Sequence, residues 1–81
     1  MNIHFSDKTS KFTYKEFGVR IYDIKLHDGK WFFSVTVTSP LNKDHVEEKQ
    51  LLPPGFDCVD DNQALETAKQ YAISWIEKTY F

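Results

Sequence analysis

Cys58 and the three aspartates around it are the residues of this chain whose types and spacing come nearest to a chemical site. Cys58 is the one cysteine among the 81 residues, and Asp57, Asp60 and Asp61 flank it. A thiol at the start of a helix can act as a nucleophile, because the helix dipole lowers its pKa. No sequence pattern pairs a histidine with Cys58, so an inert, partly covered thiol is the interpretation that we favour.

Metal binding finds little support in the residue spacing. His4, His27 and His45 lie far apart, each near a predicted turn or strand end, so a shared site would depend on the fold. The aspartates are better explained by helix capping, because their segment lacks the glycine-punctuated ligand spacing of a calcium loop. A lone cysteine excludes an intrachain disulfide and a thiolate metal cluster. We predict neither a metal nor a cofactor.

Motifs of the common catalytic families are absent from the sequence. The chain has three glycines and no glycine-rich phosphate loop, and no Gly-x-Ser-x-Gly, His-Glu-x-x-His or Cys-x-x-Cys pattern occurs. Glu47 and Glu48 are neighbours in a predicted strand, where adjacent side chains face opposite ways, so they do not form an acid–base pair. We therefore expect that the protein is not an enzyme.

The composition is typical of one small folded domain, which we expect to span residues 1–81. Apolar residues make up 41% and charged residues 27%, the balance of a soluble globular protein. Aromatic residues, at 16%, supply much of the apolar area that a small core needs. No apolar run is long enough to span a membrane, and the first residues lack the apolar region of a secretory signal, so we expect a cytoplasmic location.

Charge is distributed unevenly along the chain. The net charge of −2 argues against general attraction to nucleic acid. Residues 1–30 nevertheless hold six Lys or Arg against four acids, whereas the remainder holds four Lys against eight acids. We favour attraction between the two parts within the fold over a patch that binds a partner.

One central strand and its neighbour form the most clearly patterned part of the sequence. From Trp31 to Thr38 the side chains alternate between two faces: Trp31, Phe33, Val35 and Val37 on one, and Phe32, Ser34, Thr36 and Thr38 on the other. Asp28-Gly29 predicts a two-residue hairpin turn that pairs this strand with Val19–Leu26. The alternation in Val19–Leu26 changes phase, which predicts one extra residue near Tyr22 or Asp23.

Three weaker segments complete the predicted sheet. Asn2–Ser6 is a possible short edge strand, and Lys11–Phe17 is predicted to be extended, with a bulge or bend at Gly18. His45–Leu52 carries so many charges that we expect an exposed edge strand.

A helix is predicted from Asn62 to about Thr79. Asp60 is the expected N-cap, and Gln63 stands at the spacing of a capping box. The residues expected on the central apolar stripe are Leu65, Ala68, Ala72 and Ile76. The predicted fold is therefore α+β: an antiparallel sheet of three to five strands with one C-terminal helix packed across one face.

Two residues depart from these patterns. Phe32 lies on the otherwise polar face of the central strand, where either Ile3/Phe5 or Phe12/Tyr14 covers it or it stays exposed. Lys69 lies near the middle of the apolar stripe, where we expect its long side chain to reach past the sheet edge. The residues that we predict to contact a partner are Tyr22, Trp31 and Phe32, because aromatic residues are enriched at protein interfaces.

The order of elements resembles a group of short, uncharacterised bacterial proteins with a β-β-β-α core. The matching residues are Trp31 to Val37 and Asp60-Asp61-Asn62-Gln63-Ala64, continuing through Ala68 to Trp75-Ile76. The segment Leu52-Pro53-Pro54-Gly55-Phe56, followed by Ala64 to Lys69, is also similar to the turn and helix of HicB-type antitoxin domains, although those place a strand differently around the turn. Both resemblances imply a fold and no specific activity.

Three functions remain open from the sequence. The first is a small non-catalytic intracellular module that binds a protein, including a second copy of itself through the open sheet face or edge. The second is nucleic-acid binding, with Lys8, Lys11, Lys15 and Arg20 on phosphates and an aromatic side chain for stacking. The third is inhibition of a partner with a basic groove, which requires one continuous acidic face made of Asp44, Glu47, Glu48, Asp57, Asp60 and Asp61.

Overall fold

An antiparallel sheet and one C-terminal helix make up the computed structural model, which describes residues 3–40 and 47–81. The elements in chain order are β1 (Ile3–Phe5), β2 (Ser10–Tyr14), β3 (Phe17–His27), β4 (Lys30–Ser39), β5 (Glu47–Leu51) and α1 (Asp61–Tyr80). The predicted α+β architecture is confirmed. The first residues of the predicted strand His45–Leu52 lie outside the described part, Glu47–Leu51 forms β5 at a sheet edge, and Leu52 lies just after it.

The hairpin of β3 and β4 is the longest pairing in the sheet. Asp28 and Gly29 have φ angles of 52° and 76°, the two positive values that a tight two-residue turn requires. His27 and Lys30 close the turn as the first cross-strand pair. The prediction made from Asp28-Gly29 is confirmed.

A bulge interrupts the pairing midway along β3. Tyr22 pairs with Ser34 and Lys25 with Phe32, so β3 has one residue more than β4 between these pairs. Asp23 has a φ of 59°, which places the bend at that residue. The predicted extra residue is confirmed, and its consequence is that Ile24 points to the same face as the residues before the bulge.

Each outer edge of the sheet is built from two short pieces. β1 and β2 both pair with the same side of β3, and the Ser6 amide donates to the Ile24 carbonyl, 2.8 Å away, between them. On the other side β5 pairs with one end of β4, and Phe56 makes two backbone hydrogen bonds with Trp31 at the opposite end. Short, interrupted edges are poor templates for pairing with another chain.

The prediction of a bulge or bend at Gly18 is wrong. Gly18 lies in regular pairing with Thr13 and Thr38, and the chain reverses earlier, at Lys15 and Glu16. Both turn residues have positive φ, 47° and 72°, which side chains of this kind seldom adopt. The turn therefore carries no glycine or asparagine by which the sequence would reveal it.

The core lies between α1 and one face of the sheet. Ala64, Ala68, Ala72 and Ile76 are fully buried, and the small side chains of the three alanines bring the helix close to β3 and β4. Ala64, not Leu65, begins this stripe, because residues four apart share one side of a helix, and Leu65 is half-buried beside it. The buried sheet residues include the four of β4 that were assigned to this face: Trp31, Phe33, Val35 and Val37.

Lys69 lies beside this stripe with its ammonium at the surface. Its Nζ is 3.8 Å from Glu66 Oε2, and about a third of the side chain is exposed. The described partner of Lys69 is thus on the same helix, and its reach past the sheet edge stays a prediction.

The start of α1 is fixed by side-chain hydrogen bonds. The backbone N–H of Gln63 donates to Asp60 Oδ1, 2.9 Å away. The backbone N–H of Val59 donates to the side-chain oxygen Oε1 of Gln63, 2.8 Å away. The predicted N-cap and its partner are confirmed, although Gln63 reaches the residue before the cap instead of the cap itself.

We expect Asp60→Ala to lower the free energy of unfolding by about 1 kcal/mol, because the first turn of α1 loses its capping acceptor. Urea denaturation measures this difference. Asp57→Ala is the matched control, since it removes the same charge from the same loop but only an exposed ion pair with Lys30. Equal effects of the two substitutions would contradict the capping role.

A second contact ties the turn between β2 and β3 to the end of α1. Tyr14 Oη donates to Glu77 Oε1 over 2.6 Å, and Lys15 Nζ donates to the same oxygen over 2.8 Å. These two hydrogen bonds, the one from Lys15 first, lower the pKa of the Glu77 carboxyl below its ordinary value of about 4.5. The hydrogen bond to Glu77 raises the pKa of Tyr14.

Glu77 should therefore make stability depend on pH on the acid side. Its lowered pKa means that its contribution is complete above the ordinary glutamate pKa and is lost as pH falls through the lower value of the folded state. We expect the melting temperature of the wild type to fall more steeply than that of Glu77→Gln between about pH 5 and pH 3. Thermal unfolding over that range measures it, with Glu66→Gln as control. Parallel curves for wild type and Glu77→Gln would refute the contact.

Candidate functional site: the open face of the sheet

The sheet face that points away from α1 is not covered by a helix within the described residues. Because side chains alternate along each strand, the residues between the buried ones lie on this face, which we call the open face. Its members on the four paired strands β2 to β5 are Lys11, Thr13, Gly18, Arg20, Tyr22, Lys25, Phe32, Ser34, Thr36, Thr38, Glu48 and Gln50. The open face has a polar end and an apolar end.

Tyr22 organises the polar end. Its hydroxyl lies 3.2 Å from Thr36 Oγ1 and accepts a hydrogen bond from Gln50 Nε2 over 3.0 Å. The guanidinium carbon of Arg20 lies 4.9 Å from the centre of the Tyr22 ring, within range of a cation–π contact. Thr36 is only 7% exposed, although it belongs to the face without a helix.

The same contacts change the acidity of Tyr22. Hydrogen bonding with Thr36, and then with Gln50 and Arg20, lowers the pKa of the Tyr22 hydroxyl, against the opposing effect of partial burial. The phenolate form is therefore stabilised by groups that already surround the hydroxyl in the folded protein.

A small pocket lies beside this cluster, above Gly18. It has a volume of about 220 Å³, and its polar lining comes from Lys11, Arg20, Thr36, Thr38 and Glu48. A Cβ at Gly18 would stand 3.7 Å from the Thr38 Cβ, an ordinary contact. Gly18 is part of the lining, and we call the cavity the Gly18 pocket.

The apolar end is formed where β1 joins the sheet. Phe5, Lys25 and Phe32 follow one another across three strands, and the Phe5 side chain is 62% exposed. Leu52, which is 73% exposed, lines a second pocket of about 180 Å³ together with Lys25 and Phe32. Ile3, also exposed, extends the apolar end along β1.

Phe32 is half-buried because of the loop after β5. A Cβ at Gly55 would lie 2.9 Å from Phe32 Cζ, so the ring rests directly on the glycine backbone. Cover from the N-terminal segment was one of two expectations, and Phe12 and Tyr14 do not supply it, because they pack on the helix side. Ile3 and Phe5 share the open face but are themselves exposed.

The three residues predicted to contact a partner are not placed together. Tyr22 and Phe32 lie half-buried on the open face, at its polar and apolar ends. Trp31 is 6% exposed, faces the helix side and has its backbone paired with Phe56, so its ring offers no surface to a partner. Sequence reasoning missed Phe5 and Leu52, although the strand alternation of Asn2–Ser6 already put Phe5 with Ile3.

The cations of the open face differ from several others in the chain. Lys15, Lys30 and Lys69 pair with carboxylates. Within residues 3–40 and 47–81, Lys11, Arg20 and Lys25 have no carboxylate within 4.0 Å. Of the four cations proposed for nucleic-acid binding, the sheet register brings only Lys11 and Arg20 together on the open face.

The acidic residues proposed for an inhibitor do not form one face among the described residues. Glu47 pairs with Ser39 at one end of β4, while Asp57 binds Lys30 at the other end, roughly 30 Å away along the strand. Asp61 accepts a hydrogen bond from Ser6 Oγ, and the Asp60 side chain caps α1. Asp44 lies outside the described residues.

Cys58 is half-buried, with its sulfur 3.7 Å from Thr67 Oγ1. The described part of the chain holds no group of three or more His, Cys, Asp or Glu side chains placed to bind a metal ion. Within residues 3–40 and 47–81, no helix has the length and apolar character needed to cross a membrane.

Comparisons with known protein families, curated proteins and solved structures gave no match.

Tyr22 should ionise at a lower pH than Tyr14, because the pKa of Tyr22 is lowered while that of Tyr14 is raised. A pH titration followed by phenolate absorbance measures this. We expect Tyr22→Phe to remove the phase at lower pH and Thr36→Val to move it to higher pH, whereas Tyr14→Phe leaves it in place. An unchanged phase at lower pH in Tyr22→Phe would contradict the described hydrogen bonds.

Proposed function

We propose that this protein is a non-catalytic module that binds a segment of another protein on its open face. The observation that carries the proposal is the apolar end, where Phe32 lies among the exposed side chains of Ile3, Phe5 and Leu52. Apolar side chains gathered at one place and bordered by polar groups are typical of protein interaction sites.

The energetics favour contact at Phe32. Its ring is held on the Gly55 backbone, so little side-chain freedom is left for a partner to remove. The neighbouring pocket of about 180 Å³ accepts one apolar side chain beside the ring. Lys25 is half-buried and is the cross-strand partner of both Phe5 and Phe32, so it lies between them on the open face.

The charge of the open face argues for a different protein over a second copy. Lys11, Arg20 and Lys25 form no ion pair with a carboxylate of the described residues, and the acids that line the two pockets beside them are Glu48 and Asp23. Two open faces brought together would place these cations against the same cations, which is unfavourable. A segment that carries both apolar and acidic side chains complements the surface.

A peptide library displayed on phage tests this proposal without knowledge of the natural partner. Random peptides are selected on the wild-type protein, and the enriched peptides are then measured on single variants. We expect apolar residues and acids in the enriched sequences. Binding should fall about thirtyfold with Phe32→Asp, the size of effect typical of a central interface residue.

Val59→Asp is the matched control, since Val59 is 84% exposed and lies outside the open face. Circular dichroism and urea denaturation of both variants establish that each is folded. Retained binding by Phe32→Asp, or equal loss in both variants, would rule out the apolar end as the binding surface. Light scattering should show a monomer, and a dimer that depends on Phe32 would favour self-association instead.

A further inference from the structure

We propose that the Gly18 pocket binds one anionic group, a carboxylate or a phosphoryl group, of the protein segment that covers Phe32. This inference rests on the proposed function and assigns a chemistry to the other end of the same surface. The ligand is the anionic group itself, which an acidic or a phosphorylated side chain can supply.

The lining of the pocket matches an anion in its hydrogen-bond donors. Lys11 and Arg20 are cross-strand partners in its lining, and Thr38 adds a hydroxyl, whereas the Thr36 hydroxyl is hydrogen bonded to Tyr22. Its volume of about 220 Å³ has room for roughly seven water molecules at ~30 Å³ each, enough for one carboxylate or phosphoryl group. The planar guanidinium of arginine and the ammonium of lysine both donate hydrogen bonds to carboxylates and to phosphoryl groups.

Arg20 is already held in position before any ligand arrives. Its guanidinium lies over the Tyr22 ring, whose hydroxyl is fixed by Thr36 and Gln50. When the arginine is already ordered, less side-chain entropy is lost on binding an anion than when the anion has to order the arginine. Lys11 is exposed, as Arg20 is, but makes no ring contact within the described residues.

Glu48 is the one acid in the pocket lining, and it makes the assignment testable. Its carboxylate opposes a bound anion, since it adds a negative charge beside Thr38. Neutralising Glu48 should therefore strengthen anion binding. A pocket that bound a cation would respond in the opposite direction.

The distance between the two ends of the open face suggests what the partner segment looks like. Thr36 and Phe32 are four residues apart on β4, or about 13 Å. An extended segment that lies along β4 spans this distance in about four residues. The aliphatic Ile3 and Leu52 near Phe32 favour an apolar side chain over a nucleic-acid base, so the segment should carry an acid about four positions from an apolar residue.

NMR titration of the ¹⁵N-labelled protein with sodium phosphate tests the pocket directly. We expect saturable shifts of the Gly18, Val19 and Thr38 amides that sodium chloride at equal ionic strength does not cause. Arg20→Gln should weaken binding about fivefold and Glu48→Gln should strengthen it by a similar factor. Lys69→Gln, on the helix, is the charge-matched control. A sodium acetate titration shows whether the pocket prefers a carboxylate or a phosphoryl group.

Shifts that do not saturate, that chloride reproduces, or that Arg20→Gln leaves unchanged would overturn the proposal. If phosphate fails to bind while Phe32-dependent peptide binding stands, only the pocket assignment is lost. Phosphate binding without peptide selection removes the proposed function instead. A single-stranded oligonucleotide that binds more tightly than the selected peptides, through Arg20 and Phe32, would replace the protein segment by nucleic acid.

Discussion

Close packing of Ala64, Ala68 and Ala72 against β3 and β4 is the contact on which the rest of this structure depends. Small side chains let the helix lie near the sheet, and Ile21 and Ile24 of β3 fill the space on the sheet side. One helix covers one face, so this contact decides which set of alternating side chains is buried. The opposite set, with its aromatic and cationic residues, is thereby left as the surface available to a partner.

The bulge after Tyr22 connects this packing to the open face. Without an extra residue, the alternation of β3 would turn Ile24 away from the helix and Lys25 toward it. With it, Ile24 is fully buried and Lys25 stands opposite Phe32. The same local distortion therefore completes the core and places Lys25 between the exposed Phe5 and the half-buried Phe32.

Features that depend on residues close together in the sequence were predictable. Asp28-Gly29, the cap at Asp60 and the alternation of β4 each carry a local signal, and all three are confirmed. The turn at Lys15-Glu16 was missed, because its residues lack the composition that normally accompanies positive φ. Elements of the fold were therefore predictable where the residue types are those that normally adopt the observed backbone conformation.

The candidate site was predictable only in part. Alternation placed Phe32 on the polar face of the central strand, but the support of Phe32 by Gly55 depends on the loop that follows β5. Likewise, the Gly18 pocket arises from residues on four strands, so no single segment indicates it. The burial of Trp31, named as a contact residue, follows from the helix that lies over its face. Contacts between distant segments decided these outcomes.

The most direct measurement of the central claim is an NMR experiment on the protein bound to a selected peptide. Intermolecular nuclear Overhauser effects report which protein side chains lie within a few ångströms of the peptide. The account predicts effects from the ring protons of Phe32 and from the side chains of Phe5 and Leu52 to an apolar peptide residue. Effects confined to side chains of α1, with none from Phe32, would contradict it.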